Sequence, residues 1–134
     1  MISKSCLVKD YMARTLVTFK PDTDVLDAVH VLVNKRIAGA PVVDDAGNLL
    51  GMLSELDCMK VALDAGYHGN MGGPVSEYMS AGVETVDADM SIVDLAQVFI
   101  TSRFRRYPVM DGTRLIGQIS RRDVLRALEF IAKE

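Results

Sequence analysis

The sequence predicts an α+β fold built from two copies of one β-α-β-β-α unit, packed sheet to sheet about a pseudo-twofold axis. Three observations lead there. The chain repeats itself at a nearly constant offset, each copy carries one amphipathic helical stripe, and each stripe is followed by two short β-rich runs split by a polar turn. A single unit of about 60 residues leaves a sheet face it cannot cover alone, so the two copies are expected to cover each other.

The repeat is read by laying each residue over the one 67 positions on. Val8 then meets Val75, and Tyr11, Met12, Thr18, Asp22 and Asp27 meet Tyr78, Met79, Thr85, Asp89 and Asp94. Val31, Arg36, Pro41, Val42 and Asp44 likewise meet Val98, Arg103, Pro108, Val109 and Asp111. A one-residue deletion in the following turn changes the offset to 66, which pairs Leu49, Gly51, Ser54 and Asp57 with Leu115, Gly117, Ser120 and Asp123. The copies are residues 1–66 and 75–134, and residues 67–74, in the glycine-rich stretch from Gly66 to Pro74, are expected to link them.

Within each copy the elements follow from local pattern. Val25, Ala28, Val29, Leu32 and Val33 fall at helical spacing, and Ile92, Leu95, Ala96, Phe99 and Ile100 repeat it, so one face of each helix is buried. Pro41 to Val43 and Pro108 to Met110 read as strands, Asp44 to Asn48 and Asp111 to Arg114 as turns, and Leu49 to Leu53 and Leu115 to Ile119 as returning strands. A second helix opens at Ser54 in one copy and at Ser120 in the other.

Composition narrows the function. At 49% hydrophobic content a 134-residue chain can build a real core, and no apolar run reaches the roughly 18 residues that would span a bilayer. With no signal-peptide core near Met1 to Asp10, a cytoplasmic protein without membrane contact is expected. Cys6 and Cys58 lie far apart with no C-x-x-C spacing, which argues against a disulfide scaffold or a zinc site and for small buried or half-buried side chains. The formal charge of −3 is unevenly spread: residues 1–102 carry −7, whereas residues 103–134 carry +4. A local positive field suits a small anion better than a long polyanion, so nucleic acid is disfavoured as a partner.

The paired segments Gly39-Ala40-Pro41-Val42-Val43-Asp44 and Arg106-Tyr107-Pro108-Val109-Met110-Asp111, with Ser54-Glu55-Leu56-Asp57 and Ser120-Arg121-Arg122-Asp123, resemble the tandem CBS domain pair, or Bateman module. The resemblance covers nearly the whole chain. It implies a regulatory, non-catalytic module with clefts between the copies for an adenosine-type ligand: AMP, ADP, ATP or S-adenosylmethionine. On that resemblance Asp57 and Asp123 would hold ribose hydroxyls, Ser54 and Ser120 would help with phosphate, and the residues before each proline would line the adenine. Asp57 and Ser54 would share a cleft with Arg105 and Arg106, the one expected to prefer phosphate, and Asp123 and Ser120 would share one with Ala38 and Gly39. Val17 and Glu84, on the entering strands, would add backbone contacts to the base. It further implies a homodimer formed through the helices. Output to an unidentified effector protein is expected because the sequence has no room for an effector domain.

Elementary chemistry agrees with these roles. A carboxylate can accept both hydroxyl protons of a ribose, and free amides at a helix start attract phosphate oxygens. Arg105, Arg106, Arg121 and Arg122 offer guanidinium groups suited to phosphate. The same residues have a plainer reading. Ser followed three positions later by Asp is also a capping box, and the arginines can serve as solvated charge or as partners of Asp111 and Glu129. A ligand-free interaction scaffold is therefore the first alternative, and nucleic-acid binding through the C-terminal arginines the second. His30 is expected on the surface and His68 in the linker, neither at metal spacing. The sequence contains no Walker loop, G-x-G-x-x-G or G-x-S-x-G elbow, so an enzyme is not expected, nor a required cofactor.

Overall fold

A computed structural model describes residues 6–68 and 72–133. The fold is α+β, and it separates into two compact units: residues 17–83, and residues 84–134 together with 1–16. Each is built in the same way.

In the 17–83 unit, α1 (Val25–Lys35) is capped by Asp24, whose carboxylate accepts from the Leu26 amide, and is closed by Arg36 in the left-handed region at φ 55°. Left-handed backbone at a non-glycine residue carries a steric cost, and here the Arg36 amide bonds to the carbonyls of Leu32 and Val33 at the helix end. The strands β1 (Gly39–Val43) and β2 (Leu49–Ser54) pair antiparallel, with a register shift between Val42 and Val43. Asp44 shapes the turn between them by accepting from the amides of Ala46 and Asn48 and from the Asn48 side chain, which holds its carboxyl below the usual carboxylate range. The chain then enters α2 (Glu55–His68). Ala28, Leu32, Ala40, Val42, Leu53 and Val75 form the core, with Val17, Cys58 and Met79 packed against it.

The other unit runs from β3 (Val86–Asp87) through α3 (Ile92–Thr101), β4 (Arg106–Asp111) and β5 (Arg114–Ser120) to α4 (Arg121–Ala132). Its sheet order is β3-β4-β5, parallel then antiparallel, and the register shift recurs between Val109 and Met110. Val8, Ile92, Leu95, Val109, Ile119 and Ala127 are fully buried in its core.

The compact units exchange the N-terminal segments of the sequence repeats. A short 3-10 turn at Val8–Asp10 joins the 84–134 unit through bonds from Val8 N to Met90 O and from Lys9 N to Ala88 O. Its counterpart Val75–Glu77 joins the 17–83 unit through bonds from Val75 N to Thr23 O and from Ser76 N to Pro21 O. Each segment then adds a two-bond bridge to the outer edge of a sheet, Ala13 against Gln118 and Ser80 against Met52. The exchange is driven by burial, since Val8 and Val75 are both wholly enclosed.

Several local expectations change. The helix α2 continues through His68, so the front of the expected linker is helical, while residues 69–71 lie outside the described residues. One glycine, Gly66, costs a helix only about 1 kcal/mol, too little to end it against Val61 docked in the core. Val17 and Glu84 are not on strands, because the entering strands shrink to a single bridge from Phe19 to Val42 and to the two residues of β3. Cys6 is exposed rather than buried, whereas Cys58 is half-buried as expected. His30 is on the surface. Among the described residues no helix is long and apolar enough to cross a membrane.

The cysteines give a direct check on these positions. Burial, and then the charges of Asp57 and Glu55, push the Cys58 thiol up, so at neutral pH less of it is thiolate than for an ordinary cysteine. Alkylation followed by mass spectrometry is expected to label Cys6 first, with Cys58 gaining rate only as the pH is raised. Equal rates at neutral pH would contradict the burial of Cys58.

Candidate functional site

The two S-x-x-D segments adopt one geometry. At the start of α2, the Asp57 carboxylate accepts from Ser54 N and from Ser54 Oγ, both at 2.9 Å, through Oδ2, while Asp57 N donates to Ser54 Oγ at 3.1 Å. At the start of α4, Asp123 Oδ2 accepts from Ser120 N at 2.9 Å and Ser120 Oγ at 3.0 Å, and Asp123 N donates back at 3.2 Å. The capping reading is thus realised in both copies. It does not exhaust either carboxylate, because Oδ1 takes no part in the cap.

Each unit also brings its pre-proline segment beside its own cap. Gly39 pairs with Ser54 across β1 and β2, and Glu55 N donates to Ala38 O. Likewise Arg106 pairs with Ser120, and Arg121 N donates to Arg105 O. These bonds correct one expectation: the first and third amides of α2 and α4 are already occupied, so the helix starts are not open rows of donors for phosphate. Gly39 is sterically required, since a Cβ there would stand 2.9 Å from the Leu53 carbonyl oxygen.

The units differ in what surrounds this frame. In the 84–134 unit the connection from α3 to β4 is braced by Ser102, whose hydroxyl accepts from Tyr107 Oη at 2.6 Å and Phe104 N at 2.9 Å. Arg121 donates from Nε to Phe104 O at 3.2 Å and from Nη2 to Ser102 O at 3.4 Å. Phe104 stacks edgewise on Tyr107, and the Arg103 guanidinium lies 5.3 Å from its ring centre. Arg121 therefore holds the loop that carries Arg105 and leads into Arg106 at the start of β4. Those two arginines and Arg122 are exposed, and none has a side-chain hydrogen bond or ion pair among the described residues. Among the described residues the expected pairing of arginines with Asp111 or Glu129 is not found: Glu129 is bridged by Lys133, and Arg126 bridges Asp123 instead. Glu84, with Thr85, Asp87, Met90, Val98 and Tyr107, lines a cavity of about 320 Å³.

Sequence reasoning missed Ser80, Arg126, Ser102 and Tyr107. Ser80 sits on the exchanged segment, and its hydroxyl donates to Asp57 Oδ1 at 3.3 Å. Its one signal in sequence was a mismatch inside the repeat, where Ser80 stands opposite Ala13. No cluster of three potential metal ligands occurs among the described residues.

A family model described as CBS domain matches residues 8–64 and 75–130. The chain belongs to the CBS domain family. It is 31% identical over 118 residues to the CBS domain-containing protein YhcV of Bacillus subtilis, covering 87% of this chain and 81% of that one. It is 29% identical to the chloroplastic CBS domain-containing protein CBSX2 of Arabidopsis thaliana, across 95% of this chain and 65% of that protein. The crystal structure of CBSX2 in complex with AMP superposes with a TM-score of 0.80 at 32% identity, over 96% of this chain and 99% of that one. The chain spans 42% of a further curated relative, MJ1225 of Methanocaldococcus jannaschii, and 34% of another, MJ1404. Relatives of this CBS pair thus include larger proteins.

Proposed function

We propose that this chain is a regulatory CBS module that binds an adenosine-type ligand, AMP, ADP, ATP or S-adenosylmethionine, and signals the occupancy to an effector protein. The observation that carries the reading is the duplicated cap, which orients two carboxylates identically and leaves Oδ1 of each outside the cap. Likeness to the AMP-bound CBSX2 supports the choice of an adenosyl compound. Asp57 and Asp123 accept the ribose hydroxyls, with Ser54 and Ser120 fixing their rotamers. Val17, Ala38, Gly39 and Glu84 lie along the base, and Arg105, Arg106 and Arg122 receive phosphate, while Arg121 braces their loop. Binding alters output only through different affinities for two arrangements of the protein.

A homodimer in the cytoplasm is part of this reading. The helices carry exposed apolar side chains in both units, Val33, Met59 and Leu63 on one pair, Val93, Ile100 and Leu125 on the other, and a groove of about 280 Å³ opens between Val29, Val33, Cys58 and Met59. A second copy of the chain would bury these faces.

Isothermal calorimetry with AMP, ADP, ATP and S-adenosylmethionine tests the ligand. Replacing Asp57 or Asp123 by Ala is expected to weaken one site by about 1.5 to 3 kcal/mol, the usual worth of a hydrogen bond to a charged group. The completeness of both caps favours a second reading, a scaffold without ligand. Silence with all four compounds at millimolar concentration would decide for it, and salt-sensitive retention on polynucleotide would instead favour nucleic acid.

A further inference from the structure

We propose that the two S-x-x-D carboxylates are unequal, with Asp57 Oδ1 held by the backbone-tethered Ser80 and Asp123 Oδ1 met only by the movable side chain of Arg126, so that Ser80 is a positioning residue that sets the order in which the sites fill. The inference rests on the ligand reading above and adds to it which carboxylate acts first.

The lock is visible in the 17–83 unit. Asp57 is buried, 6% exposed, and its two oxygens together accept three hydrogen bonds. The third comes from the Ser80 hydroxyl, in the place where a ligand hydroxyl would have to donate. Ser80 is held there by reciprocal backbone bonds with Met52, both 2.9 Å. A ribose that seeks Asp57 must displace a tethered internal donor.

Asp123 meets no such donor. Ala13 takes the position of Ser80 in the 84–134 unit, and it makes the same reciprocal bridge, with Gln118 in place of Met52. Its methyl group offers no hydrogen bond. Asp123 Oδ1 is met instead by Nη2 of Arg126 at 3.0 Å, an i,i+3 pair whose arginine side chain is 61% exposed against 15% for the aspartate. The arginine end of the pair lies largely in solvent on a long flexible side chain, which can swing aside, whereas the Ser80 backbone is fixed. Asp123 is therefore the carboxylate a ribose reaches at lower cost.

Because the two bridges are equivalent, the hydroxyl can be exchanged between the units. AMP is titrated calorimetrically into the wild-type chain, Ser80→Ala and Ala13→Ser, with Asp123→Ala and Asp57→Ala assigning the sites. The tighter site is expected to vanish in Asp123→Ala. Ser80→Ala removes that internal donor from Asp57 Oδ1 and is expected to tighten the Asp57 site by about three- to tenfold, while Ala13→Ser weakens the Asp123 site by a similar factor. Loss of the tighter site in Asp57→Ala, or unchanged affinities in both exchange variants, overturns the proposal. A double-mutant cycle of Ser80→Ala with Asp57→Asn, read by urea unfolding without ligand, checks the lock itself and is expected to show a coupling of about two- to tenfold in the unfolding constant. Zero coupling refutes the lock. If no variant binds AMP, ADP, ATP or S-adenosylmethionine, the ligand reading falls and the cycle still decides whether Ser80 holds Asp57.

Discussion

Ile119→Ala is expected to lower the stability of the 84–134 unit by about 2 to 5 kcal/mol, the range for truncating a large aliphatic side chain in a close-packed core. Ile119 is wholly buried on β5, opposite Tyr107 in the register, and belongs to the same cluster as Val8, Ile92, Leu95 and Val124. Those neighbours are contributed by helices, by the sheet and by the exchanged segment, so they cannot collapse together into the space left behind. Urea unfolding followed by circular dichroism measures the loss. A change below about 1 kcal/mol would mean that the site relaxes freely, against the packing described. Leu53 occupies the corresponding place on β2, also fully buried.

Gly117→Val is expected to detach the N-terminal segment from the 84–134 unit at a cost of about 3 kcal/mol or more, the upper end of the overpacking range. A Cβ at this position would stand 2.6 Å from Met12 Sδ and 2.7 Å from the Ala13 carbonyl oxygen. The thioether can swing away. The carbonyl cannot, because it accepts from Gln118 N at 3.0 Å and the Ala13 amide donates back to Gln118 at 2.8 Å. Amide hydrogen exchange is the decisive readout: Val8, Lys9 and Ala13 lose protection while the helix interior of α3 keeps it. Retained protection at Ala13 would show that the close approach is tolerated. Gly51, facing Met79 and the Ser80 carbonyl, makes the same demand in the other unit, and Gly51→Val would displace Ser80 along with its segment. That variant thus connects folding to the proposed site, since the hydroxyl on Asp57 travels with the segment that the glycine admits.

Much of the architecture was legible in the sequence because it depends on neighbours a few positions apart. The apolar spacing of Val25 to Val33 and of Ile92 to Ile100 specifies one buried stripe per helix, and α1 and α3 lie where that stripe predicts. The Asp44 to Asn48 turn and the caps at Ser54 and Ser120 are likewise local bonds between residues within four positions. Repetition then doubled each signal, which is why the S-x-x-D aspartates could be singled out before their geometry was known. The weak places were also local in origin. The glycine-rich stretch from Gly66 to Pro74 predicts a linker over residues 67–74 although α2 continues through His68, and Val17 and Glu84 are expected on strands whose pairing is too short to include them.

The order of elements, their buried faces and the pair of capped carboxylates were therefore determined by the sequence itself, through periodicity and short-range hydrogen bonding. Only the tertiary structure decided which segment completes which sheet, and with it that Ser80 rather than a second alanine meets the oxygen of Asp57, and that Arg121 spends its guanidinium on the carbonyls of Ser102 and Phe104. The physical reason is the distance along the chain. A bond between residues 23 positions apart, or 17, exists only after the core has closed and fixed both ends, and no local pattern of side chains records it.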